Sequence, residues 1–133
     1  MIEFESLIFT PIATAIRAQF QGAYVTGEYV PIPASFPAVS IVEMDSVPTR
    51  STQDSGSLEN TVDVMYEVNV YSNRTKGKKI EAKSIIALVD TMLQHYGFRR
   101  TYCQPVQNMN DATIYRIVAR YTATVSKDLV VYR

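Results

Sequence analysis

His95, the one histidine of the chain, is the first candidate for chemistry. A hydrolytic triad or a histidine metal site needs an imidazole beside a nucleophile or further ligands. His95 instead falls in the last turn of a periodic helical segment, where a cation gains about 0.3–1 kcal/mol from the helix dipole. Cys103, the one cysteine, lies in a strand-like run without the signature of a catalytic thiol, and a small buried side chain is expected there. Glu43 and Asp45 stand two apart on one expected strand, which would place both carboxylates on one face. Such a pair can hold a metal or divide acid and base duties. Neither a third ligand nor a catalytic partner stands beside them in the sequence, so a solvated strand end is expected.

Arg74, Lys76, Lys78 and Lys79 precede an expected helix, and helix N-termini attract phosphate. The run lacks the glycine spacing that wraps backbone amides around an anion, so a solvated turn is expected. Ser55-Gly56-Ser57 lacks the pattern of a nucleophile elbow. No catalytic, cofactor or metal residues are therefore assigned, and the chain is expected not to be an enzyme. Nine tyrosines without a tryptophan are the more unusual feature. Tyrosine suits half-buried sheet surfaces and subunit contacts, and Tyr71 and Tyr132 are candidates for the latter.

The elements that would position these residues follow from periodicity. Phe4, Leu7, Ile8, Ile12, Ala15, Ile16 and Phe20 have helical spacing, interrupted by Pro11. This is either one kinked helix or a turn followed by a helix from Pro11 capped by Thr10, and Gly22 ends it. Residues 23–37 carry Pro31, Pro33 and Pro37 and should be extended at a sheet edge. A strand is expected over 38–44. Residues 46–60 form a long polar loop, and loops above about 12 residues are commonly functional or disordered. Val62, Val64, Tyr66, Val68 and Val70 alternate with polar residues as a half-buried strand does. A helix is expected over 79–96, with Ala82, Ile85, Ile86, Val89, Met92, Leu93 and Tyr96 on one stripe and Gly97 as its cap. Strands near 98–107 and 113–125 are joined by an Asn- and Asp-rich turn, and 128–133 adds a further extended piece. The expected fold is α+β: an antiparallel sheet of three to five strands with two helices on one face, in one domain spanning 1–133. The other sheet face, with Arg116, Val118 and Arg120, is expected to be solvated or to meet a neighbour.

At 133 residues, 47% of them hydrophobic and 20% charged, the chain can bury a sizeable core without a disulfide or metal. Thirteen basic residues balance thirteen acidic ones, which gives no argument for nucleic acid or anionic lipid as the main partner. The lone cysteine, the acidic start of the chain and the lack of a long apolar run point to a cytosolic protein.

Several segments, in this order and spacing, carry a resemblance. They are an N-terminal helix, Phe36-Pro37-Ala38-Val39-Ser40-Ile41-Val42-Glu43, a polar loop to Val62, Val68-Asn69-Val70-Tyr71-Ser72-Asn73, the helix from Lys79 to Leu93, Gly97-Phe98-Arg99 and Arg116-Ile117-Val118-Ala119-Arg120-Tyr121. Over nearly the whole chain they resemble the tail terminator (tail completion) proteins of long-tailed bacteriophages and prophages. The resemblance implies a structural subunit, assembled in the bacterial host cytoplasm and carried in the virion tail. It would form a homo-oligomeric, hexameric ring on the tail tube, end tube polymerisation and offer the docking surface for the head–tail connector protein. Its partners would be its own copies, the tube protein and the connector, with DNA passing through passively and no membrane or cofactor involved. Arg50, Gln53, Asp54, Ser55, Gly56 and Glu59 are expected to form a partner-binding loop. Tyr71, Arg116, Arg120 and Tyr132 are expected at the ring interface or lumen. The alternatives are another head–tail joining or neck protein, or a small ligand-binding module using an intersubunit cleft.

Overall fold

The computed structural model describes residues 3–30, 33–48, 61–107 and 112–132, the side chain of Tyr132 excepted. The chain order is α1 (Glu5–Gln19), β1 (Tyr24–Thr26), β2 (Ala38–Pro48), β3 (Thr61–Ser72), α2 (Lys78–His95), β4 (Arg99–Gln107), β5 (Tyr115–Ser126) and β6 (Val131–Tyr132). The strands form one sheet in the order β1-β2-β3-β5-β4, with β6 paired to the end of β5. This is an α+β fold with a mostly antiparallel sheet. The exception is β1, which runs parallel to β2.

Alternation decides which side chains form the main core. Val62, Val64, Tyr66, Val68 and Val70 of β3 face the same cluster as Ile117, Ala119, Tyr121, Ala123 and Val125 of β5. Ile8, Ile12, Ala13 and Ile16 of α1, Ala82, Ile85, Ile86, Val89 and Leu93 of α2, and Val25, Val39 and Ile41 of β1 and β2 join that cluster. Burying each of the valine, isoleucine and leucine side chains contributes about 1.5–3 kcal/mol. Phe98 locks its centre, edge-on to Tyr66 at 5.5 Å and stacked with Phe4 at 6.1 Å between ring centroids.

α1 is one continuous helix that contains Pro11, so the reading of a turn with a cap at Thr10 is not adopted. Its N-cap is Phe4, and burial of Ile8 and Ile12 on both sides of the proline holds the two turns in line. Tyr96 closes α2, after which Gly97 takes a φ of 95°. There a Cβ would meet Val131 Cγ1 at 3.1 Å, so both conformation and space favour glycine.

Three expectations are corrected. β2 continues through Pro48, so residues 46–48 belong to a strand and not to the polar loop. A bulge between Glu43 and Asp45 pairs Glu43 with Tyr66 and Asp45 with Met65, which sets the two carboxylates on opposite faces. Cys103 is exposed, because it lies on the edge strand β4, whose side chains are mostly solvent-facing.

Candidate interaction surface

The sheet face away from the main core is a built polar surface rather than a bare one. Tyr71, Asn69 and Glu67 of β3 stand opposite Arg116, Val118 and Arg120 of β5. Asn69 is fully buried and donates to Glu67 Oε1 at 3.1 Å. Its Oδ1 accepts from Arg116 Nε and Nη2 at 3.0 and 2.7 Å. Arg120 Nε donates to Glu67 Oε2 at 3.0 Å, and its guanidinium lies 5.0 Å from the Tyr102 ring centroid. At one end of this face Tyr71, Ala38 and Ile114 form a second apolar cluster, flanked by Tyr24 and Phe36. The proline-bearing segment after β1 packs there through Val30 and Pro33. Burial pushes the Tyr71 phenol above its usual range, partly offset by the nearby Arg116. The Tyr71 hydroxyl and Ser40 Oγ are buried without a hydrogen-bond partner among the described residues.

Between α2 and the edge strand β4 runs a cleft of ≈ 570 Å³. Its apolar floor includes Ile86, Pro105 and Ile117, and Lys79, Lys83 and Arg100 stand on its rim. Cys103 also lines it. Asp90 is the carboxylate on that wall, and it is engaged: it accepts from Tyr121 at 2.7 Å, Gln94 at 2.7 Å and Arg100 at 3.0 Å. The cleft exists because α2 covers β3 and β5, while the β4 edge pairs on one side only, with β5, among the described residues.

Two stretches of the chain differ in charge. Residues 3–48, which build α1, β1 and β2, hold Glu3, Glu5, Glu28, Glu43 and Asp45 against Arg17 alone. Residues 72–107, which build α2 and β4, hold Arg74, Lys76, Lys78, Lys79, Lys83, Arg99 and Arg100 against Glu81 and Asp90. Burial, with Glu43 and Glu3 close by, raises the Glu5 carboxyl above its ordinary range.

Of the residues expected at contacts, Arg116 and Arg120 share one face and one network. Tyr71 joins them through Arg116, 5.6 Å from its ring centroid, but is itself only 2% exposed. Its side chain is therefore part of the chain's own packing in this fold. Tyr132 pairs with Thr124 at the far end of β5, away from that network. Arg50, Gln53, Asp54, Ser55, Gly56 and Glu59 lie outside the described residues. The basic turn does not converge on a point: Arg74 pairs with Glu81 at 3.8 Å, and Lys78 donates to the Thr113 carbonyl at 3.1 Å. His95 sits in the last turn of α2, edge-on to Tyr96. No cluster of three or more metal-ligating side chains occurs among the described residues, and no helix there is long and apolar enough to cross a membrane.

Sequence reasoning missed the cleft and the charge division. Segment-by-segment charge was the available signal for the second, yet its meaning depends on strand order, which sets β1 and β4 at opposite ends of the sheet. No known family model matches the chain, and no similar sequence is found among curated proteins.

Proposed function

We propose that this chain is a structural subunit of a long-tailed phage or prophage tail, of the tail terminator kind. It assembles as a ring on the tail tube, ends tube growth and presents the surface that receives the head connector. The resemblance of its segments to that family supports the reading. The observation that carries it is the nine-residue strand β4 with one free edge among the described residues, lying beside the apolar-floored cleft. A strand edge of that length is a template for pairing with another chain. A ring also requires two different patches on each subunit, and the two ends of the sheet, at β1 and at β4, are the candidates for them.

The direct test is to assemble tails with and without this chain. Tubes formed without it should overgrow and fail to join heads, and adding the protein should restore defined length. Normal tails in its absence would refute the reading.

A second reading has one observation in its favour. The cleft volume falls within the roughly 300–1,000 Å³ typical of small-molecule sites, so the chain would be a ligand-binding module. Thermal stabilisation by a small molecule, lost on altering Arg100, would favour that reading.

A further inference from the structure

We infer that copies of this chain join head to tail, the acidic α1–β1 edge of one subunit seating against the basic cleft between α2 and β4 of the next. The inference rests on the ring reading above and adds which surfaces meet. Its basis is charge complementarity between the acidic residues around the start of α1 and the end of β1 and the basic residues at the cleft beside β4. Lys79 and Lys83 are one helical turn apart and exposed on α2, and Arg100 projects from β4 on the same cleft. No hydrogen bond engages the side-chain amines of Lys79 and Lys83 within the described part of the subunit. On the acidic side, Glu3 just before α1 and Glu28 just after β1 are exposed. Glu5 lies 3.4 Å from where a Cβ on Gly27 would sit, so the carboxylates of α1 crowd the end of β1. Like charges held together in this way favour a neighbour that brings cations, and the partner edge of a second copy brings them. Because the two patches differ, the contact is heterologous and propagates around a ring rather than closing as a two-fold dimer. Complementary fields of this kind steer association and suppress the wrong register.

The experiment uses two variants of the full chain, Lys79→Glu/Lys83→Glu and Glu3→Lys/Glu28→Lys, all at exposed positions. Each alone presents like charge at both edges, and its self-association, followed by light scattering at low salt, should weaken roughly tenfold or more. Mixed in equal amounts, the variants present opposite charges at every contact and should recover oligomers of the wild-type mass. Raising salt should weaken the wild-type assembly, since exposed charges are screened beyond about 8 Å at physiological ionic strength. Oligomers that survive both reversals, or variants that stay apart on mixing, would overturn the edge assignment while leaving tube capping to its own test. Wild-type protein that remains monomeric at millimolar concentration and low salt would also overturn it.

Discussion

The Tyr121 hydroxyl donates to Asp90 Oδ1 at 2.7 Å, so a fully buried tyrosine of the inner strand β5 is tied to helix α2. The same oxygen accepts from Arg100 of β4 at 3.0 Å, so one carboxylate joins the three elements that frame the cleft. Replacing Asp90 by Ala strands the phenol without an acceptor and should cost about 1–3 kcal/mol. Tyr121→Phe removes only the bond and should cost about 0.5–1.5 kcal/mol. Arg100→Ala should cost under about 1 kcal/mol, because its guanidinium is half exposed. Urea unfolding midpoints at unchanged slope measure this ranking, and an Asp90→Ala variant as stable as wild type would contradict it.

The two arginines of the polar face should behave differently. Arg116, itself half-buried, supplies both donors to Oδ1 of the fully buried Asn69. Arg116→Ala should therefore destabilise by about 1–3 kcal/mol. Arg120 is 46% exposed at its side chain, and its ion pair with Glu67 should contribute at most about 1 kcal/mol. Assembly defects in Arg116 variants must accordingly be compared with their folding stability, whereas Arg120→Glu tests the surface more cleanly. Equal stability losses for the two alanine variants would contradict this division.

Alkaline pH should unfold the chain through two phenols. Burial, then hydrogen bonding to Glu43 and Asp90, raises Tyr66 and Tyr121 far above the usual tyrosine range. In the unfolded chain both would release their protons near pH ~10. Above that pH the folded state holds more protons than the unfolded one, so stability falls as pH rises, by up to ~1.4 kcal/mol per unit for each phenol. Below pH ~10 their contribution is fully present. Tyrosinate absorbance and circular dichroism, recorded together from neutral to strongly alkaline pH, should show these phenols ionising only as structure is lost. Ionisation of all nine tyrosines near pH ~10 with structure intact would contradict this.

Cys103 offers a chemical probe of the cleft. Its thiol is exposed on β4, so a bulky maleimide should label it in the folded protein without denaturant. Labelled protein should keep its fold and lose self-association, read by circular dichroism and light scattering. Slow labelling that requires denaturant, or labelled protein that assembles normally, would contradict the geometry or the use of the cleft.

Much of the architecture was legible in local pattern. The alternation from Val62 to Val70 and from Tyr115 to Val125 encodes which side of each strand is buried, and the Ala82–Leu93 stripe encodes the face of α2. Pairing irregularities were not legible. The bulge at Glu43/Asp45 separates two carboxylates that strict alternation would put together. The exposure of Cys103 depends on β4 lying at the edge, which is a fact of strand order and not of its neighbours in sequence. The burial of Asn69 and Glu67 was likewise hidden, because the arginines that satisfy them arrive from a strand some fifty residues later.

The proposed role stands or falls most directly on electron microscopy of growing tail tubes mixed with the purified chain. The expected image is a ring of density at one end of each tube, with growth halted there. Tubes that elongate as before, with bare ends, would contradict it.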